Sequence, residues 1–217
     1  MENPTDYYIT IGRSKGAGGL EVAKRLSQRL DIAFYDKQLL KITARESGLC
    51  QELFEQADEK RGSKFFTGIN MAGFSTIYGD LQATKVNSRE ELFRIQSQVM
   101  CSIADKGPAI FVGRCADYIL RKRPHLLNVF IQADPQDRIA RLVRYGELKE
   151  EALKDEDALT DLLDGYDEKR RSYYNYFTYK QWGDSSAYHV CLSSSLLGVE
   201  GCVEVILDII RRKGWIR

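Results

Sequence analysis

Short apolar runs alternate with helical patterns along this chain, and this alternation constrains the fold more than any other feature. The runs are four to six residues long and lie at residues 7–11, 32–35, 109–112, 127–132 and 187–192. After the first run, apolar residues recur at helical spacing, namely Leu20, Ala23, Leu26 and Leu30. Strands without alternating polar residues are typical of a parallel sheet covered by helices on both faces. The pattern therefore predicts an α/β fold with a doubly wound parallel sheet flanked by helices, which binds ligands at the carboxyl ends of its strands.

The charge balance and the cysteine content exclude several classes of protein. The 217 residues carry 32 Lys and Arg against 31 Asp and Glu, a net charge of +1, which argues against a broadly basic nucleic-acid binder and a polybasic membrane-surface protein. Five scattered cysteines without a CxxC pair, and only two histidines, argue against a structural zinc site. No apolar stretch approaches the ~20 residues of a membrane span, and the first residues lack a signal-peptide pattern. We therefore expect a cytoplasmic protein.

Two stretches interrupt the alternation of strands and helices. Residues about 48–88 are rich in glycine and aromatic residues without a steady period, and residues about 146–180 are strongly charged and then aromatic. No linker or internal repeat separates either stretch from the rest of the chain. We therefore expect one domain, residues 1–217, with two insertions that lie over the strand ends.

A glycine-rich loop, GRSKGAGGL at residues 12–20, joins the first predicted strand to the first predicted helix. Clustered glycines let backbone N–H groups turn toward an anion, and the helix N-terminus adds a favourable partial charge. The loop departs from the pattern GxxxxGK followed by Ser or Thr, because Gly19 stands at the lysine position and Leu20 at the position that binds Mg²⁺. Either Arg13 or Lys15 can supply the missing cation, and the alternatives are a solvated Lys15 and a turn that binds nothing.

Four further segments follow this loop: IAFYDKQLL, IFVGRCADYIL, NVFIQADPQDRIARL, and YDEKRRSYYNYF with a later tryptophan. In this order, and together with IGRSKGAGGLEVAKRL, they resemble the cytidylate kinase-like family, a branch of the P-loop nucleoside monophosphate kinases in which a loop ending in Gly-Gly is usual. The resemblance extends from about residue 8 to about residue 210. It implies a P-loop NTPase-type fold with a phosphate-donor site, an acceptor-binding insertion at 48–88, and a lid with its following helix at 146–180.

The resemblance also implies the cofactors ATP and Mg²⁺. The implied ATP-binding residues are those of the loop, namely Arg13, Ser14, Lys15, Gly16, Ala17, Gly18, Gly19 and Leu20. Arg13 is expected to act in catalysis as well, as the cation that replaces the loop lysine. No residue is assigned as a direct metal ligand.

The acceptor is expected to bind at the ends of two other strands. Asp36 follows the second predicted strand, where its carboxylate can accept from an acceptor hydroxyl or hold a Mg²⁺-bound water, in catalysis and in substrate binding. The alternative is that Asp36 caps the helix beginning at Lys37. Arg114 follows the third predicted strand and can bind an acceptor phosphate. The family shows Gly-Arg-Asp here, whereas this chain has Cys115 after Arg114, and Asp117 is the nearby carboxylate expected to contact the substrate.

Arginines at helical spacing are expected to act at the lid. Arg138, Arg141 and Arg144 recur at intervals of three residues on a predicted helix. The resemblance places them where arginines close over the transferring phosphates, so Arg138 and Arg141 are expected to act in catalysis. The alternative is a solvated helix face on which Glu147 and its neighbours pair with these arginines.

Arg170 matches the D-x-x-R pattern of the family, and it is expected to bind substrate phosphates while Asp167 orients it. The aromatic stretch from Tyr166 to Trp182 is expected to pack rather than to stack on a base. His189, at the last predicted strand, is expected to be structural rather than a catalytic base.

These observations predict a phosphotransferase that moves the γ-phosphate of ATP to a small acceptor, in the first place a nucleoside monophosphate such as CMP. Such an enzyme would be an ATP-dependent, cytidylate-like kinase. Two alternatives stay open: a catalytically weak protein that binds or senses nucleotides on the same fold, and a kinase of a non-nucleotide small molecule. The expected partner is the small-molecule acceptor, without nucleic acid or membrane, and assembly into a homo-oligomer is left open.

Overall fold

The structure, a computed structural model, describes residues 6–38, 89–148 and 156–216. The chain divides into two units, residues 1–37 together with 103–217, and residues 38–102. The acceptor-binding insertion expected at 48–88 lies outside the described residues, and so do residues 149–155 of the stretch expected to form the lid.

Five parallel strands form a sheet in the first unit, in the order β2-β3-β1-β4-β5. They are β1 (Tyr8–Arg13), β2 (Phe34–Tyr35), β3 (Ala109–Val112), β4 (Leu126–Gln132) and β5 (Val190–Ser193). Tyr8 lies opposite Ala109 on one side and Leu126 on the other, so β1, β3 and β4 begin at the same edge of the sheet. The parallel α/β fold predicted from the apolar runs is confirmed.

Helices connect the strands, and six are described: α1 (Gly19–Leu30), α2 (Arg89–Ala104), α3 (Ala116–Ile119), α4 (Pro135–Arg144), α5 (Glu156–Thr178) and α6 (Ser194–Arg212). A 3₁₀ turn at Ser185–Ala187 precedes β5, so the last strand begins at residue 190 rather than at the predicted residue 187. Gly198 interrupts α6 with φ 66° and ψ 173°. None of the helices within the described ranges is long and apolar enough to cross a membrane.

One face of the sheet packs against α1 and α6. Alternate residues of β1 and β4 meet the two helices there in a buried cluster that includes Ile9, Ile11, Val22, Leu26, Val129, Ile131, Val203 and Ile206. Burying an aliphatic side chain of this size contributes about 1.5–3 kcal/mol. The cluster therefore fixes α1 on the sheet and, with it, the loop that precedes α1.

The opposite face of the sheet is more polar and more aromatic than the apolar runs predicted. Thr10 Oγ1 donates a buried hydrogen bond of 2.9 Å to Asn128 Oδ1. The ring of Phe130 meets Trp182 edge-on, with centroids 5.2 Å apart, and lies 4.9 Å from the ring of Tyr188. The packing role expected for the aromatic stretch therefore holds for Trp182.

The carboxyl edge of the sheet carries four connections that face ligands in folds of this kind. β1 leads into residues 14–18, β3 into residues 113–115, β4 into residues 133–134, and β5 directly into α6, which begins at Ser194. Pro135 opens α4, where its fixed φ suits the first helical position. These four strands, β3, β1, β4 and β5, are neighbours in the sheet, so residues distant in sequence meet at this edge.

Candidate active site

The glycine-rich loop has a backbone that glycine alone adopts at low cost. Gly16 and Gly18 have φ angles of 77° and 81°, in the left-handed region. A Cβ atom at Gly16 would also lie 2.6 Å from the backbone oxygen of Arg138. Gly18 begins α1 without a side-chain cap, so the first amide groups of the helix stay available to an anion.

The carbonyl oxygens of the loop are bound by side chains from three helices. Arg138 Nε donates to the Lys15 oxygen at 2.7 Å, and Arg141 Nη1 donates to the Gly16 oxygen at 2.5 Å. Ser194 Oγ donates to the Ala17 oxygen at 2.8 Å, and Arg170 Nη1 donates to the Arg13 oxygen at 3.3 Å.

These bonds set the direction in which the loop presents its amides. A carbonyl and the amide N–H that follows it point to opposite sides of the peptide plane. Since the oxygens of Lys15 and Ala17 face their donors, the N–H groups of Gly16 and Gly18 face the other way. Within the described residues, neither N–H donates a hydrogen bond. The loop therefore offers two backbone donors to an anion.

Asp167 on α5 holds this arrangement together. Its carboxylate accepts from Lys15 N at 2.7 Å, from Arg170 Nη1 at 3.1 Å, and from Arg138 Nη2. The residue is 5% exposed, so these bonds lie in a low-dielectric environment, where they are strong. The contact that the D-x-x-R pattern indicated is present, and it extends to Arg138 and to the loop.

The Arg13 side chain occupies the space that a side chain at Gly19 would need. A Cβ atom at Gly19 would lie 2.7 Å from Arg13 Cβ, and a Cβ atom at Gly113 would overlap Arg13 Nη1. The two glycines therefore leave the room in which this side chain lies. Within the described residues, its guanidinium forms no hydrogen bond and no ion pair.

The charge of Arg13 is poorly compensated. Burial, followed by the positive charges of Arg170 and Arg114, lowers the pKa of Arg13 to about 9, although Asp36 and Asp167 act in the opposite direction. Arginine stays protonated in ordinary settings, so the lowered pKa marks a cation held against its desolvation and against like charges. A phosphate bound beside Arg13 would relieve both effects.

Lys15, the other candidate for the missing cation, is already neutralised. Its Nζ pairs with Glu147 and lies 4.9 Å from the centroid of the Tyr166 ring. Lys15 is 9% exposed, so its ammonium is not solvated, contrary to one of the sequence-based alternatives. Of the two cations that the sequence left open, Arg13 is the one without an acidic partner among the described residues.

Arg138 and Arg141, the residues expected at the lid, are 8% and 7% exposed and contact the loop carbonyls. The solvated helix face considered as their alternative is therefore wrong for these two residues. Arg141 Nε is buried without an acceptor, and it would lie 3.4 Å from a Cβ atom at Gly18. A buried donor without a partner, next to a loop amide that forms no hydrogen bond within the described residues, suits the binding of an anion.

The predicted acceptor residues fall into two groups. The charges of Asp36 and Arg114 shift the pKa of Arg13, so both residues lie near the start of the glycine-rich loop. Arg114 also places its guanidinium 5.4 Å from the centroid of the Tyr173 ring. Asp117 has Tyr174 as its partner, which donates from its hydroxyl at 2.7 Å, rather than Arg114 or a loop residue. Burial raises the pKa of the Asp117 carboxyl.

Sequence reasoning did not find the serines that follow β5. Ser194 binds the Ala17 oxygen, Ser195 Oγ accepts from Asp134 N at 2.8 Å, and Ser193 Oγ caps α6 by accepting from Leu196 N at 3.3 Å. A run of three serines at the carboxyl end of a predicted strand was the available signal, because ligands bind at that edge.

The parallel sheet with its glycine-rich β1–α1 loop defines a kinase-type P-loop fold. The model described as the Cytidylate kinase-like family matches residues 8–196, and the chain belongs to this family. The resemblance stated from the sequence is therefore confirmed. Membership in a kinase-like family supports a phosphotransferase that acts on a small molecule.

Solved structures share the fold over nearly the whole chain. An uncharacterized protein from Eubacterium ventriosum is 23% identical, with a TM-score of 0.67, and the match covers 95% of this chain and 99% of that one. Shikimate kinase from Bacteroides thetaiotaomicron is 17% identical, with a TM-score of 0.51, and the match covers 94% of this chain and 98% of that one. At these identities the likeness shows the fold. No curated protein matches the chain by sequence.

Proposed function

We propose that this protein transfers the γ-phosphate of ATP to a small acceptor, and that the acceptor is a nucleoside monophosphate such as CMP. The observation that carries the proposal is the buried, poorly compensated Arg13 guanidinium, together with a loop whose Gly16 and Gly18 amides form no hydrogen bond within the described residues. Phosphoryl transfer depends on positioning and on charge neutralisation more than on covalent chemistry by the protein. A buried cation without an acidic partner supplies such neutralisation at no cost in reorganisation.

Each residue of the site receives a role in this proposal. Arg13 contacts the β- and γ-phosphates in place of a loop lysine, and the N–H groups of Gly16 and Gly18 bind phosphate oxygens. Arg138 and Arg141 hold the loop through its carbonyl oxygens, and Arg141 Nε adds a donor once an anion is bound.

The acceptor phosphate binds to Arg114 and Arg170 in this proposal. Both guanidinium groups lie close enough to Arg13 to lower its pKa, so the three positive charges converge on one region. An acceptor phosphate beside a donor phosphate needs such a concentration of charge. Asp36 is a carboxylate close to Arg13, and it accepts the proton of the attacking oxygen or a hydrogen bond from it.

The residues present are compatible with Mg²⁺. Within the described residues, no group of three or more His, Cys, Asp or Glu side chains could hold a metal ion. Mg²⁺ does not require one, because it binds through one or two carboxylates together with phosphates and water. Asp36 is the carboxylate that would hold it, directly or through a water. When bound, Mg²⁺ neutralises charge on the β- and γ-phosphates.

The test is ADP formation from ATP and Mg²⁺ with CMP, UMP, AMP, GMP or no acceptor, followed in a coupled assay. We expect ADP formation that depends on the acceptor and that falls by ~100-fold or more in Arg13→Ala. Arg29→Ala is the matched control, because Arg29 lies on α1 but pairs with Glu200 and Glu204 at the surface. Folded protein that turns over no acceptor would contradict the proposal.

A second candidate is a protein that binds nucleotides without transferring phosphate. Gly19 and Leu20, which stand where the standard pattern has its lysine and its hydroxyl ligand of Mg²⁺, favour it. Binding of ATP that is lost in Arg13→Ala, together with no ADP formation from any acceptor, would establish this function instead. A kinase of a non-nucleotide acceptor is distinguished by thermal-shift screening of small hydroxylated acceptors in the presence of an unhydrolysable ATP analogue.

A further inference from the structure

A groove of about 850 Å³ lies at the amino-terminal ends of β4 and β5, the edge of the sheet opposite the glycine-rich loop. It exists because the two strands are of unequal length. Val190 of β5 pairs with Val129, so Leu126, Leu127 and Asn128 extend beyond β5. The end of α6 and the segment at Lys180 form the other walls.

Three cations of this groove have no acidic partner within the described residues. Arg121 donates to the oxygen of Tyr118 and lies over its ring at 3.9 Å, and neither Lys180 nor Lys213 forms an ion pair. A fourth, Arg123, is paired with Asp105.

Asp117, the carboxylate among the described residues that line the groove, forms no ion pair with these cations. Asp117 is buried and accepts from the Tyr174 hydroxyl at 2.7 Å. Burial raises the pKa of Asp117 and the positive charge of Lys180 acts in the opposite direction, but the two residues form no ion pair. The groove therefore carries a net positive charge.

His189 adds a hydrogen-bond donor to this edge. Its backbone N–H donates to the Asn128 oxygen at 2.9 Å, and its Nδ1 accepts from Asn128 N at 3.1 Å. Because Nδ1 is the acceptor, the neutral ring carries its proton on Nε2. The hydrogen bond from Asn128 N, at the start of β4, thus fixes the tautomer of the His189 ring.

The remainder of the groove is apolar. Leu126, Val190 and Ile209 line it, and so does Trp215, whose ring contacts His125 edge-on with centroids 5.5 Å apart. Small-molecule sites combine such apolar walls with a few polar groups, and they range from ~300 to ~1,000 Å³. The volume of this groove exceeds what a bare inorganic anion needs.

We infer that this groove is a second binding site, separate from the phosphate loop, for a small organic anion in which an aromatic ring carries a phosphate or a carboxylate. The ring packs against Trp215 and the aliphatic wall, and the anionic group lies between Lys180, Lys213 and Arg121. The inference does not rest on the proposed function, because it uses neither ATP nor the loop.

Trp215 serves as the reporter for the test. The chain contains two tryptophans, so Trp182→Phe leaves Trp215 as the sole source of tryptophan fluorescence. Phenyl phosphate, benzoate, inorganic phosphate and the neutral benzyl alcohol are titrated in turn. We expect a saturable change with phenyl phosphate or benzoate at a Kd below ~1 mM, and binding of benzyl alcohol at least ~10-fold weaker. The better of the two anions identifies the anionic group.

Three variants locate the binding site. Lys180→Gln combined with Lys213→Gln is expected to weaken binding about 10-fold, since each exposed charge contributes up to ~1 kcal/mol. Lys24→Gln on the exposed face of α1, and Arg13→Ala at the loop, are expected to leave it unchanged. The absence of saturation, equal binding of benzyl alcohol, an unaffected double variant, or loss of the signal in Arg13→Ala would overturn the inference. Calorimetry on the protein that retains Trp182 gives the same affinities without the fluorescence background.

Discussion

Replacing Gly113 by alanine tests how the position of Arg13 supports phosphate binding. Gly113 has a φ of 73°, and a Cβ atom there would overlap Nη1 of Arg13. Alanine in the left-handed region costs about 1–2 kcal/mol of folding free energy. The overlap adds a second effect, because the guanidinium must move by more than ~1 Å to reach ordinary van der Waals distance from the new methyl group.

Gly214→Ala is the matched control. Gly214 has a φ of 68°, so alanine meets the same backbone penalty, but nothing lies within 4 Å of the Cβ position. Both variants should lose about 1–2 kcal/mol of unfolding free energy in urea denaturation. Only Gly113→Ala displaces Arg13.

The assay is the affinity for ATP by calorimetry, with kcat/KM measured for the acceptor that is turned over. A hydrogen bond between charged groups contributes about 1.5–3 kcal/mol, so we expect Gly113→Ala to bind ATP ~10- to ~100-fold more weakly than wild type. Misplacement by 1 Å is expected to lower kcat/KM by up to ~100-fold. Wild-type ATP affinity in Gly113→Ala, with the same stability loss as Gly214→Ala, would refute the reasoning.

Three other predictions concern buried groups outside the Arg13 contact. Asp167→Asn removes the counter-charge of Arg138 and Arg170, and we expect the free energy of unfolding, measured by urea denaturation, to fall by about 3–5 kcal/mol. Asp161→Asn, at the exposed face of α5, is the control and should change this free energy little. Thr10→Val deprives the buried Asn128 Oδ1 of its donor and should cost about 1–3 kcal/mol, and an equal stability of wild type and variant would contradict the role given to that bond. Cys115 is buried, and burial raises the pKa of its thiol to about 12, so alkylation of Cys115 near neutral pH, followed by mass spectrometry, should require unfolding.

Local patterns were sufficient to predict the sheet and the loop. The five apolar runs correspond to the five strands. A strand that is covered on both faces is apolar along its length, so its own sequence is sufficient to predict it. The start of the last run was misplaced, since Ser185–Ala187 forms a 3₁₀ turn with Asp184 as its cap. Capping by a side chain is local, and Asp184 followed by two serines was its signal.

Charge counts along the sequence were a poorer guide to the binding site. Charged residues that are near one another in sequence can lie at opposite ends of a strand. Residues 113–144 hold seven Lys and Arg against three Asp, and a count along the sequence does not tell whether these charges lie at one place in the fold. β4 runs through that segment and spans ~20 Å. It leaves Arg121 and Arg123 at the amino-terminal edge, while Arg138 and Arg141 reach the loop at the carboxyl edge. The excess is thus divided between two sites.

The choice between Arg13 and Lys15 depended on contacts that no spacing indicates. Glu147, which pairs with Lys15, lies 132 positions away, and Asp167, which accepts from Lys15 N, lies 152 positions away. The sequence showed Glu147 only as a neighbour of the lid arginines. The position of Glu147, just after α4, therefore decides that Lys15 is paired and that Arg13 is not.

The affinity of ATP for Arg13→Ala compared with Lys15→Ala, measured by calorimetry on the folded proteins, tests the central claim most directly. The unpaired guanidinium of Arg13 should contribute at least ~10-fold to ATP binding, whereas Lys15, already paired with Glu147, should contribute less than ~3-fold. The opposite order, with Lys15→Ala losing ATP and Arg13→Ala binding it as wild type does, would contradict the assignment of Arg13 as the cation of the phosphate loop.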